Sequence, residues 1–146
     1  MKADAQTEAA VLASLNRFAE AYARRDMDGL IGLWASDPDV MVIGTGADEK
    51  RVGLAEIKAQ AQRDWSQSES ASLEIGWTSV SAAGSVAWVA ADCVIRAEAG
   101  GEKMSLPARL SGVLEKRGDN WLWVQFHASL PTAEQAEGES FPTQSP

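Results

Sequence analysis

Ten consecutive residues, Val86 to Ile95, are apolar except for Asp92, and no other feature constrains the fold as strongly. A strand that is apolar on both faces must be covered on both faces. Its neighbours also read as strands. Leu73, Ile75 and Trp77 alternate with polar or small residues, and Ala82-Ala83-Gly84-Ser85 is a turn. A third strand runs from about Glu102 to Lys116. Pro107 within it predicts a bulge or an unpaired position. Arg117-Gly118-Asp119-Asn120 is a tight turn, Trp121 to Ser129 is the last strand, and Pro131 ends it.

The first half has helical periodicity. Val11, Leu15, Phe18 and Tyr22 share one helix face, and Met27, Leu30, Ile31 and Trp34 share the face of a second, shorter helix that Asp26 can cap. Asp37-Pro38 stops that helix. Val40-Met41-Val42-Ile43, the turn formers Gly44 to Glu49, and Lys50-Arg51-Val52 predict a short hairpin. Gly53 opens a third helix, with Glu56 placed to reach back to its first amides. Leu54, Ile57, Ala61 and Trp65 form its apolar face.

Three helices followed by four long antiparallel strands give an α+β fold. Three helices cannot cover both faces of that sheet. One face is expected to pack on the helices and enclose a pocket, and the other to pack on a second copy, making a homodimer. A monomer whose small outer alanines tolerate solvent is the alternative. Residues 1–131 form the domain; residues 132–146 are polar, acidic and proline-containing, and are expected to be a disordered tail.

Composition narrows the function. At 146 residues and a net charge of −8, the chain offers no basic field for nucleic acid or an anionic membrane, and no apolar run reaches membrane-spanning length. One histidine and one cysteine cannot build a Cys/His metal cage, so neither metal nor cofactor is expected. The lone cysteine and the absence of a signal-peptide pattern suit the cytoplasm.

Three stretches resemble the SnoaL-like group of the nuclear transport factor 2-like superfamily. They are Asp26-Met27-Asp28-Gly29-Leu30 through Trp34; Asp37-Pro38-Asp39-Val40 with Ile43-Gly44-Thr45-Gly46, Asp48-Glu49 and Gly53; and Arg109-Leu110-Ser111, Asn120-Trp121 and His127-Ala128-Ser129-Leu130-Pro131. The resemblance implies a cystatin-like fold: a curved antiparallel sheet wrapped into a cone, a long helix across its mouth, a small-molecule cavity inside, and dimerisation through the outer face. It does not extend to ketosteroid isomerase chemistry, which needs a base aspartate and an oxyanion hole of tyrosine and protonated aspartic acid. Phe18 and Val42 fall at the tyrosine and base positions, and Pro107 or Ala108 near the other aspartate.

Strict alternation on the last strand puts Trp121, Trp123, Gln125, His127 and Ser129 on one face, and Leu122, Val124, Phe126 and Ala128 on the other. The first set mixes aromatics with hydrogen-bonding groups, as ligand cavities do. Arg109 and Ser111 share a face of the preceding strand, so Arg109, Ser111, Gln125 and His127 are expected in a common cavity. Arg109 there would bind a carboxylate, or else pair with Asp92 or Glu115. His127 is the acid/base candidate, against a structural histidine tied to a carbonyl. Asp92 is a second candidate, against an ion pair. Trp88 and Trp123 could stack on a flat ligand, and Tyr22 could donate a hydrogen bond at the cavity mouth. Cys93 faces away from Asp92, and a nucleophilic pairing with His127 is disfavoured.

Three functions follow. The first is a dimeric domain binding a small, partly apolar, anionic or carbonyl-bearing molecule. The second is an isomerase, cyclase, dehydratase or hydrolase using His127 or Asp92. The third is an assembly module like the association domain of calcium/calmodulin-dependent kinase.

Overall fold

The computed structural model describes residues 1–143. The order is α1 (Ala5–Ala23), α2 (Met27–Ile31), β1 (Met41–Ile43), β2 (Lys50–Val52), α3 (Leu54–Ser66), β3 (Ser70–Ala83), β4 (Val86–Ala99), β5 (Glu102–Arg117) and β6 (Asn120–Ser129). This is the α+β order that the periodicities predict.

Local chemistry explains the boundaries. The Asp4 carboxylate accepts from the Thr7 amide at 2.7 Å and starts α1; Asp26 accepts from Gly29 at 3.0 Å and starts α2. Before α3, Glu56 reaches back to the Val52 amide at 3.3 Å. Glu49 closes the β1–β2 turn, its carboxylate accepting from the Gly46 amide at 2.8 Å.

All six strands form one sheet in the order β2-β1-β6-β5-β4-β3. β3 to β6 are joined antiparallel, and β1 adds to β6 in parallel, with Val42 opposite Phe126. This parallel junction extends the curled sheet with the short hairpin. The helices gather on the inner face, where Val11, Leu15 and Phe18 of α1 meet Val80, Val89, Leu114, Trp123 and Phe126. Phe18 stacks on Phe126, and Trp123 stands edge-on to both rings.

Of the two alternatives expected at Pro107, a bulge or an unpaired position, the structure shows the second. The β4–β5 register runs unbroken through Pro107 opposite Val94. Pairing with β6 begins only at Arg109, so Pro107 lies on an open edge, where proline is tolerated. The irregularities fall elsewhere: on β3 between Ile75 and Thr78, and between β5 and β6, where Val113 faces Gln125 but Leu114 faces Trp123. Val124 is the extra residue.

Residues 130–143 are exposed and form neither helix nor strand; Thr143 turns back to the Glu134 carbonyl. The last three residues of the expected tail lie outside the described residues.

Candidate functional site

A cavity of about 410 Å³ opens between the inner sheet face, α1, α3 and the β1–β2 loop. Its walls are largely apolar: Phe18, Val42, Leu73, Ile95, Ala97, Phe126 and Ala128 among them. Small residues on β4 and β6 leave the space open, because successive inward positions there are Ala97, Ala99 and Ala128. Phe18 and Val42, which the resemblance sets at the isomerase tyrosine and base positions, both line it.

One end is polar. Tyr22 donates its hydroxyl to Asp64 Oδ2 at 2.8 Å, and Gln60 Nε2 donates to Asp64 Oδ1 at 2.7 Å and to Glu49 Oε1 at 3.2 Å. Arg51 Nε donates to Gln60 Oε1 at 2.9 Å from behind. Arg63 bridges Glu49 at 3.1 Å and Asp48 at 2.7 Å. Burial pushes the Asp64 carboxyl above the ordinary carboxylate range, against the two hydrogen bonds it accepts. Burial and the neighbouring Asp64 charge push the Tyr22 phenol well above its ordinary value, so Tyr22 stays protonated.

This polar end is held by α1 and α3 together. Gln60 and Asp64 are one turn apart on the α3 face that also carries Ile57 and Ala61. Arg25, which follows α1 at φ 57°, donates to the Trp65 carbonyl at 2.6 Å and the Ser68 carbonyl at 2.7 Å. Trp65 Nε1 donates to the Tyr22 carbonyl at 3.1 Å.

Of the residues singled out from the sequence, Tyr22 lines this cavity. Trp123 does point inward, but it is fully buried in the core beneath Gly112. Arg109, Ser111, Gln125 and His127 do share a face, with Ser111 directly opposite His127. That face is the outer one, and all four are exposed. The expectation of a common cavity is therefore corrected. The physical reason is the bulge at Val124, which breaks strict alternation: Trp121 and Trp123 face inward before it, Phe126 and Ala128 after it. Asp92 is also exposed on the outer face, opposite Arg109, because Ala91 and Cys93 occupy the inward positions of β4. Trp88 is half-buried on that outer face, opposite Val113. Cys93 and His127 lie on opposite faces, and burial raises the Cys93 thiol. Sequence reasoning missed Glu49, Gln60 and Asp64. A signal existed, since Gln60 and Asp64 lie among the apolar positions of α3, and Gln60 is only 7% exposed.

Residues 11–133 match the family described as the SnoaL-like domain. The chain belongs to that family. Among curated proteins none matches it. Solved structures resemble this SnoaL-like domain across most of its length. A candidate dehydratase of the nuclear transport factor 2-like family from Streptomyces avermitilis is 21% identical with a TM-score of 0.77, over 85% of this chain and 96% of that one. A candidate aromatic ring hydroxylase from Novosphingobium aromaticivorans is 13% identical with a TM-score of 0.81, over 90% and 93%. A candidate calcium/calmodulin dependent protein kinase II association domain from Xanthomonas campestris is 22% identical with a TM-score of 0.74, over 84% and 86%. At such identities the likeness bears on the fold alone, and three unlike names on one fold assign no activity. Among the described residues no helix is long and apolar enough to cross a membrane.

Proposed function

We propose that this SnoaL-like domain is a dimer that binds a small, partly apolar molecule in the cavity, with the ligand's polar group against Tyr22, Gln60 and Asp64. The observation that carries the reading is the shape of the lining: a continuous apolar wall with polar groups converging at one end. Binding pockets combine these two features, apolar area for affinity and a few placed polar groups for orientation. At about 410 Å³ the space suits a molecule of two or three rings. The anionic ligand expected from Arg109 loses its basis, because Arg109 is exposed on the other side of the sheet.

Phenylnaphthylamine, a neutral dye that brightens in apolar surroundings, tests this. It is expected to bind with fluorescence enhancement, and Ala97→Trp and Ala128→Phe, which fill the cavity, are expected to abolish the enhancement while the fold persists. Unchanged binding in both folded variants overturns the cavity as the site.

A second reading rests on Asp64. A carboxyl held above its ordinary range beside a phenol, in an apolar cavity, suits acid/base chemistry. Under this reading the domain turns over its ligand with Asp64 as the proton-transfer group, in place of His127 or Asp92. Turnover surviving Asp64→Asn would remove that role.

A further inference from the structure

We infer that the cavity selects an apolar molecule whose polar head donates hydrogen bonds, best of all a protonated amine, and discriminates against carboxylates. The inference rests on the binding reading above and adds the chemical class of the ligand.

The argument is a donor and acceptor count at the polar end. The Tyr22 hydroxyl hydrogen is given to Asp64. Both amide hydrogens of Gln60 are given, one to Asp64 and one to Glu49. The Ser68 hydroxyl donates to the Asp64 carbonyl at 2.8 Å. Two amides of the β1–β2 loop are also committed, Gly44 to the Glu49 carbonyl and Gly46 to the Glu49 carboxylate. The two other side-chain donors on the wall, Thr45 and Gln67, are exposed at its mouth. Acceptor capacity is left over. A carboxylate offers about four lone-pair sites and a phenol oxygen accepts as well as donates. Asp64 receives two side-chain hydrogen bonds, and Tyr22 Oη receives none among the described residues. A ligand carbonyl or carboxylate would meet acceptors facing acceptors. A ligand N–H or O–H would meet free lone pairs.

Charge points the same way. Glu49 and Asp64 line the cavity, and no lysine, arginine or histidine does among the described residues. Arg63 answers Asp48 and Glu49 from outside the cavity. Asp64 has no ion-pair partner among the described residues, so where the ligand's head would sit its carboxyl is answered only by the Tyr22 and Gln60 hydrogen bonds and by Arg63 at longer range. A half-buried charge without an ion-pair partner is unfavourable, and a ligand cation supplies that partner.

Four isosteric probes test the inference on the full chain: naphthylmethylamine, naphthylmethanol, naphthaldehyde and naphthoate. Titrations followed by amide chemical shifts of Ala97, Phe126 and Ala128 report binding in the cavity itself. The amine is expected to bind at least about tenfold tighter than naphthoate, with the alcohol between them. Asp64→Asn is expected to close most of the gap between amine and alcohol. Naphthoate or naphthaldehyde binding as tightly as the amine overturns the inference and leaves the binding reading standing; preference for the aldehyde would mean that Asp64 is protonated and the Tyr22 hydrogen is free. If none of the four shifts the cavity amides, the binding reading itself fails and takes this inference with it.

Discussion

Asp64 and Arg25 show how single side chains hold the polar end together. The Asp64 carboxyl is raised in the folded protein, so the folded state binds its proton more tightly than the unfolded state does. Stability from this group is full below the ordinary carboxyl value and is lost as pH rises through the raised one. Asp64→Asn removes that loss. Asparagine can still accept from Gln60 and can donate to the Tyr22 oxygen, so both contacts survive. Thermal melts from about pH 4 to 7 should show a flatter pH dependence in Asp64→Asn, with its advantage over the parent growing as pH rises. Melting curves that stay parallel across that range would show that Asp64 titrates ordinarily. Arg25 does not line the cavity but holds Ser68, which does. Its guanidinium satisfies carbonyls at and beyond the end of α3, where positive charge also suits the helix dipole. Arg25→Ala should destabilise by about 1.5–3 kcal/mol in chemical denaturation, the range for hydrogen bonds to a charged group. Arg25→Gly should lose less, because glycine relieves the positive φ at this position.

At the scale of strands, β6 is where local pattern and fold part company. Its residues are legible as a strand, and its start, end and turn lie where Asn120 and Pro131 place them. Its faces are not legible, because one extra residue at Val124 inverts the assignment of everything on one side of it. A bulge leaves no mark in hydrophobic alternation until the partner strand is known. The helices were read more fully: the stripe Val11, Leu15, Phe18 of α1 is buried as its spacing implies. On α3 the same stripe was read for its apolar members alone, so Gln60 and Asp64 passed unremarked. The cost of the bulge is visible at Gly112, opposite Phe126 on the neighbouring strand. A Cβ there would run into the Trp123 ring and come within 2.9 Å of the Gln125 carbonyl oxygen. Gly112 therefore makes room for the indole that the bulge turns inward. Gly112→Ala should destabilise by about 1–3 kcal/mol through overpacking. Trp123→Leu creates space at the same spot, so the double variant should lose less than the sum of the two single losses. Additive losses in a denaturation cycle would mean that the glycine serves some other constraint.

The whole molecule has one face that the helices leave uncovered. On the outer side of β3–β6, Trp88, Ala90 and Val113 lie across adjacent strands, flanked by Ser111, Gln125 and His127. Beyond them Trp77, on the irregular stretch of β3, is 61% exposed. Opposite charges, Asp92 and Arg109, sit side by side at one end of this face. A surface carrying both signs beside an apolar stripe can complement a second copy of itself about a two-fold axis, which a single-sign surface cannot. A stable dimer of this kind buries roughly 800 Å² on each partner, and the four long strands offer a continuous face on which to do so. Sedimentation velocity at micromolar concentration should then show a dimer, and Trp88→Arg together with Val113→Asp should convert it to a monomer. Neither residue lines the cavity, so the double variant should keep its dye binding if the two halves of the proposed function are independent. Because only the assembled form hides this face, the parent's melting temperature should rise with protein concentration, whereas the variant's should not. A parent that sediments as a monomer and melts at one temperature over a hundredfold concentration range would leave Trp88 and Val113 as solvent-facing residues, and the apolar run from Val86 to Ile95 would then owe only its inner half to burial.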